Sequence, residues 1–240
     1  MSDPILTLKG VHTDIGRYHI LQGVELEVPR GGVTMLLGRN GVGKTTTLRT
    51  VMGLWRARAG QITFDGRDVT ALPTAAIARA GIGFVPEDMG IFTDLTVEEN
   101  LILAAASGPL SSDRLDRIFA AFPPLKTFWK SAAGNLSGGQ KQMLSIARAM
   151  AEERRLYLID EPTKGLAPAI VATMAAALRD LKAEGAAILL VEQNFAVARL
   201  LGDSCAVMDD GRVIWSGPMA ELAADTALQE RLMGLSLEAP

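Results

Sequence analysis

Short, predominantly apolar runs punctuate this chain, and each stops abruptly at a glycine or a charged cluster. Val33–Leu37 runs into Gly38, Ile82–Val85 into Pro86-Glu87, Leu156–Ile159 into Asp160-Glu161, and Ile188–Val191 into Glu192-Gln193. Runs of this length without alternation predict strands buried on both faces, as in a parallel sheet with helices on each side. Ligands of open α/β sheets collect beyond the carboxyl ends of the strands. Four strands delivering polar groups to one edge already point to a site.

Between the second and third runs the pattern changes, from about residue 88 to residue 151. Thr96-Val97-Glu98-Glu99 reads as a helix start, with Thr96 as cap and Glu99 reaching back. A second helical stretch covers about Ser112–Ala121 and breaks at Pro123-Pro124. The expected organisation is one domain over residues 1–240, with this helical subdomain inserted in an α/β core. The first thirty or so residues and Cys205–Ser216 read as β hairpins and strands, Asp209-Asp210-Gly211 supplying a turn. The tail after Pro218 reads as helical.

Composition narrows the picture little. The 240 residues are 48 % hydrophobic and 21 % charged, with 24 glycines and 11 prolines, as in an ordinary globular protein. A net charge of −3 speaks against a nucleic-acid binder held by a basic face. No apolar run approaches the ~20 residues that span a bilayer, and the N-terminus lacks the pattern of a secretory leader. A membrane role is therefore expected through a partner. The lone Cys205 suits a reducing compartment.

The first candidate chemistry lies directly after Val33–Leu37. Gly38-Arg39-Asn40-Gly41-Val42-Gly43-Lys44-Thr45 fits G-x-x-x-x-G-K-[ST], with Thr46 following into a helix. Glycines let successive backbone N–H groups point inward at phosphate oxygens, and the helix adds its positive end. Lys44 supplies a point charge to the β and γ phosphates, and Thr45 can ligate Mg²⁺. The plain alternative is a glycine turn capping a helix without a ligand. Four fixed positions match by chance in roughly one chain in a hundred of this length. The loop establishes a nucleoside triphosphate but not its use.

Leu156–Glu161 supplies the second half. Its apolar strand carries Asp160 to the sheet edge, where a carboxylate can hold Mg²⁺, and Glu161 can deprotonate an attacking water. Many buried strands end in an acidic residue, so this stretch gains its meaning from the phosphate loop. Leu136-Ser137-Gly138-Gly139-Gln140 then opens a second helix suited to an anion, with Ser137 as cap. One helix start has a lysine and a magnesium carboxylate; the other has neither. That asymmetry points to a dimer in which Ser137–Gln140 of one chain closes on the γ-phosphate held by the other.

Gly38–Thr45, Leu136–Gln140 and Leu156–Glu161, in this order, resemble the nucleotide-binding subunits of ABC transporters over essentially the whole chain. The resemblance implies a P-loop NTPase with a RecA-like core, an antiparallel β subdomain and a helical subdomain. It further implies ATP and Mg²⁺ as ligands, two ATP sites between paired subunits, and coupling to two membrane permease subunits through the groove between the lobes. On this reading the chain is an ATP hydrolase, peripheral on the cytoplasmic face of the membrane, with an extracytoplasmic binding protein as indirect partner.

Three positions depart from the common pattern of that family. Glu87 stands where most members carry a glutamine that senses Mg²⁺ and the attacking water. Gln193 replaces the usual switch histidine; its amide can donate to the γ-phosphate but cannot become cationic. Ala167 replaces a common aspartate. With Leu95–Leu101 and Phe122–Lys126, these positions resemble the LivF-type ATPases of importers for branched-chain and other hydrophobic amino acids. Urea and short-chain amide importers have a closely similar ATPase. Both branches imply pairing with a second, non-identical ATPase. The family stacks adenine on an aromatic residue before the first ATP-site strand; here Ile15 fills that slot and Tyr18 lies three residues later, so either can meet the base.

The remaining conspicuous residues take plain readings. His12 and His19 lack partners at metal spacing, Cys205 reads as a small buried hydrophobe, and Glu152-Glu153-Arg154-Arg155 reads as a solvated charge run. A soluble ATP-driven assembly protein is the competing function. Such proteins tend to carry two cassettes or the switch histidine. A small-molecule kinase would leave Ser137–Gln140 without a purpose.

Overall fold

The computed structural model describes residues 3–105 and 108–233. A hairpin of β1 (Leu6–Ile15) and β2 (Tyr18–Val28) opens the chain. β3 (Val33–Leu37) leads through a glycine loop into α1 (Lys44–Val51). β4 (Ala57–Phe64) and β5 (Arg67–Asp68) then join the hairpin in an antiparallel sheet of order β2-β1-β4-β5. The apolar pattern did not announce β4, because residues 58 to 61 are exposed and only Ile62 and Phe64 are buried.

After α2 (Thr74–Arg79) and β6 (Ile82–Val85), four helices follow: α3 (Val97–Ala104), α4 (Ser112–Ala121), α5 (Pro123–Thr127) and α6 (Gly138–Met150). Thr96 and Glu99 form the expected reciprocal cap of α3. The Pro123-Pro124 break is at once a new start, since a proline in a first helical turn forfeits no hydrogen bond. The chain then runs through β7 (Leu156–Asp160), α7 (Pro168–Ala183), β8 (Ala187–Val191), α8 (Phe195–Leu201), β9 (Ser204–Asp209), β10 (Arg212–Pro218), α9 (Met219–Ala224) and α10 (Thr226–Met233).

The six-stranded sheet has the order β10-β9-β3-β8-β7-β6, parallel from β9 to β6 and antiparallel at its β10 edge. Its central strands are buried on both faces, and the two-residue period sorts their side chains into two cores. Met35, Leu37, Ile159, Ile188 and Leu190 face the helices α3 to α7. Leu36, Leu158, Leu189 and Val191 face α1 and the antiparallel sheet. Cys205 is buried within the first of these cores, and its burial pushes the thiol pKa up to about 12. Among the described residues no helix is long and apolar enough to cross a membrane.

The Glu152–Arg155 run is not simply solvated. Glu152 is buried, Arg154 donates to the Ala78 carbonyl at 2.5 Å, and Arg155 pairs with Asp65 and donates to the Ala80 carbonyl at 2.8 Å. These bonds fasten the start of β7 to α2 and the β4–β5 turn.

Candidate active site

The parallel strands deliver their polar ends to one edge, as the sequence pattern requires. Gly38 follows β3, Glu87 follows β6, Asp160 closes β7 with Glu161 next, and Gln193 lies just beyond β8. A cleft of about 320 Å³ brings the expected groups together: Asn40, Gly41, Gly43, Lys44, Thr45, Thr46, Glu87, Glu161 and Gln193, together with Lys164 and Ile20. A second hollow of about 240 Å³, lined by Gly38, Arg39, Asn40, Glu192, Gln193 and Phe195, shares Asn40 and Gln193 with the first.

The loop's backbone explains its glycines. Gly38, Gly41 and Gly43 have φ of 138°, 83° and 107°, in the region that side chains disfavour. A Cβ on Gly38 would lie 2.3 Å from the Met208 carbonyl oxygen, which belongs to β9 and cannot easily yield. Gly38→Ala is expected to cost about 2–3 kcal/mol, a fall in Tm of roughly 5–10 °C by calorimetry of the nucleotide-free protein. An unchanged Tm would show that the loop can relax.

Gly43 caps α1 without a side chain, so the first-turn amides of that helix have neither intrahelical acceptors nor a side-chain cap. Lys44 is nearly buried; its Nζ donates to the Gly38 and Arg39 carbonyls at 2.7 and 2.8 Å, which curls the loop around it. Burial lowers its pKa, while the Glu161 and Asp160 carboxylates pull it back up.

Asp160 is fully buried, and neither of its carboxylate oxygens has a hydrogen-bond partner among the described residues. Burial drives its pKa up to about 6; Thr45, close by without completing a hydrogen bond, draws it down, and Glu161 and Glu87 raise it further. An orphaned buried carboxylate beside a hydroxyl is a hard-oxygen donor set, and it fits Mg²⁺, which keeps most of its ligands as water and phosphate. Among the described residues no group of three or more His, Cys, Asp or Glu side chains forms a metal cage.

Glu161 adopts φ of 48°, a left-handed conformation that costs a non-glycine residue of order 1–2 kcal/mol. Its amide donates to Val191 at 2.9 Å, tying it to the end of β8. Its side chain is nearly buried; Gln193 Nε2 donates to Oε1 at 2.5 Å, and Lys164 Nζ lies 3.3 Å from Oε2. Glu87 is exposed and pairs with the same Lys164 at 2.7 Å.

Ser137 and Gln140 form a reciprocal cap: Gln140 N donates to Ser137 Oγ at 3.3 Å, and Ser137 N to Gln140 Oε1 at 2.9 Å. Ser137 and Gly138 are exposed, with nothing within 4 Å of where a Gly138 Cβ would stand. Gly139 is buried, and a Cβ there would stand 3.0 Å from the Ile170 side chain of α7, which would have to shift to admit it. This turn does not line the cleft that holds Lys44 and Glu161.

Four contacts escaped the sequence reading. Lys164 is in the cleft. Buried Glu192 accepts from Thr163 N and Oγ1 at 3.2 and 2.7 Å, locking the turn that carries Lys164 to the end of β8. The segment after Glu87 is bound to α6, with Ser145 Oγ donating to the Met89 carbonyl at 2.7 Å and Arg148 to that of Gly90. His12 and His19 stack with ring nitrogens 3.0 Å apart. Buried polar spacing along single strands hints at Glu192; the others are long-range meetings without a local signal. Tyr18 is 61 % exposed with the Arg17 guanidinium over its ring, and neither it nor Ile15 lines the cleft, whereas Ile20 does.

Residues 21–164 match the model of the ABC transporter family. The chain belongs to it. It is 36 % identical, over 96 % of its length and 100 % of the relative's, to the high-affinity branched-chain amino acid transport ATP-binding protein BraG of Pseudomonas aeruginosa. It is 37 % identical to the probable branched-chain amino acid transport ATP-binding protein LivF of Archaeoglobus fulgidus, over 90 % of this chain and 93 % of that one. Among solved structures, the ATP-binding subunit of an ABC transporter superposes with a TM-score of 0.82 at 31 % identity, covering 98 % of this chain and 96 % of that one. A dimeric cassette in a post-hydrolysis state with ADP and Pi superposes at 0.79 with 26 % identity, over 89 % and 98 %. The chain is thus the ATP-binding subunit of an ABC transporter and an ATP hydrolase, with the P-loop NTPase fold expected from its sequence.

Proposed function

We propose that this ATPase powers the import of branched-chain amino acids, and that the cleft beyond β3, β7 and β8 is where it hydrolyses ATP. The observation that carries the site is the convergence, in one cleft, of the glycine loop, Lys44, Glu161 and Gln193 beside the orphaned Asp160. The cargo rests on the likeness to BraG and LivF.

Loop amides from Gly38 to Thr46 receive the phosphates, and Lys44 exchanges its two loop carbonyls for phosphate oxygens. Thr45 and Asp160 would hold a Mg²⁺ ion, with Glu87 within reach of its shell; when bound it neutralises charge on the phosphates. Glu161 accepts the proton of the attacking water, and Gln193 fixes the orientation of that carboxylate through the 2.5 Å hydrogen bond. Because Ser137 and Gly138 lie exposed and outside this cleft, their anion-binding turn serves the site of a paired subunit, which in the LivF-type branch is non-identical. Adenine lies toward the β1–β2 hairpin, against Ile15 or Tyr18, with Ile20 at the cleft wall. Two permeases receive the motion at the cytoplasmic face of the membrane, and a binding protein delivers cargo on the far side.

Disrupting the gene and measuring uptake of labelled leucine, urea and a short-chain amide tests the cargo. Loss of leucine uptake, restored by the wild-type chain, is the expected result. Loss of urea or amide uptake with leucine import intact overturns it, as does co-purification with soluble proteins alone.

A further inference from the structure

We propose that Lys164 is a positioning residue of the ATP site, which offsets the carboxylate of Glu87 and so sets nucleotide affinity; this rests on the site reading above. The cleft and its floor carry three carboxylates, Glu87, Asp160 and Glu161, against two ammonium groups, Lys44 and Lys164. Glu87 therefore places negative charge where a triphosphate must enter. Lys164 Nζ stands between two of these carboxylates, 2.7 Å from Glu87 and 3.3 Å from Glu161.

The placement is built into the fold. β6 and β7 are neighbouring parallel strands, so Glu87 and the turn after Glu161 emerge side by side. That turn is held by the Lys164 N to Glu161 carbonyl bond at 3.3 Å and by Gly165 at φ 70°, and Glu192 anchors Thr163 from below. Stability does not explain the pair. The Lys164 side chain is 58 % exposed and that of Glu87 43 %, and ion pairs so exposed contribute little to folding. Their field acts on a highly charged ligand in the adjacent cleft, where even a screened unit charge alters binding.

The test is ATP affinity of the full-length chain by calorimetry, with turnover measured in parallel. Lys164→Met should weaken Kd for ATP by about threefold to tenfold. The loss should shrink as salt rises from about 0.05 to 0.5 M, because screening erases a charge effect. Lys164→Arg should restore affinity, and in a Glu87→Gln background Lys164→Met should cost much less, since the charge to be offset is gone. An unchanged Kd, a loss independent of salt, or an equal loss in both backgrounds overturns the proposal. Glu161→Gln separates the two readings. If that variant hydrolyses ATP normally, the site itself is misassigned; if it is inactive while Lys164→Met binds ATP as wild type, the role of Lys164 alone fails.

Discussion

Glu161→Gln is expected to lower ATP turnover by about 10²–10⁴-fold, the usual scale for losing a general base, while ATP stays bound. The substitution is nearly isosteric. A glutamine carbonyl can still accept the Gln193 Nε2 hydrogen bond that holds the carboxylate at 2.5 Å. It can occupy the same nearly buried position, and the left-handed backbone at φ 48° is no worse for glutamine than for glutamate. What disappears is the basic oxygen that, in the proposed role, would take the proton of water. Lys44, Thr45 and the loop amides are untouched, so the nucleotide should bind and the closed pair of subunits should accumulate. Single-turnover hydrolysis and ATP retention on a sizing column read both halves. Turnover within a few-fold of wild type, with the fold intact, would remove Glu161 from its role.

That Asp160 and Glu161 would emerge together at the sheet edge was legible from sequence because of strand geometry. A buried strand has no freedom at its end, so an apolar run that stops at Asp160-Glu161 fixes where two successive carboxylates emerge. The same logic located Gly38, Glu87 and Gln193, and the local hydrogen-bonding grammar of helix starts located Ser137 and Thr96. What stayed hidden was partnership across the chain. Lys164 meets a glutamate 77 residues away, and Arg155 meets an aspartate 90 residues away. Nothing in the run Glu152–Arg155 distinguishes a solvated charge cluster from a strut; the distinction arises only when β4 and α2 fold over it. Strand β4 was hidden because its exposed half carries no apolar alternation, and its pairing comes from backbone hydrogen bonds to β1.

Asp160→Asn is expected to move stability and activity in opposite directions. Asp160 is buried, without a hydrogen-bond partner among the described residues, and its pKa is pushed up to about 6 from an ordinary 3.8. The folded state therefore holds the proton more tightly than the unfolded state does. Between about pH 4 and pH 6 the unfolded chain binds fewer protons, so stability falls as pH rises and levels off once the folded carboxyl has ionised. Two pKa units correspond to a cost on the order of 2–3 kcal/mol at pH 7. Asparagine never ionises. Denaturant unfolding with chelator present should find Asp160→Asn more stable than wild type by about that amount at pH 7, with the advantage vanishing near pH 4. Hydrolysis should nevertheless fall by at least about 10²-fold, because a neutral amide is a poor ligand for Mg²⁺. A stability difference between variant and wild type that stays the same from pH 4 to pH 7 would mean that the ionised carboxylate is solvated or paired after all, and the case for a cation beside Thr45 would go with it. The expected gain says that the fold tolerates a buried charge at the edge of β7 in exchange for a place to hold one of opposite sign.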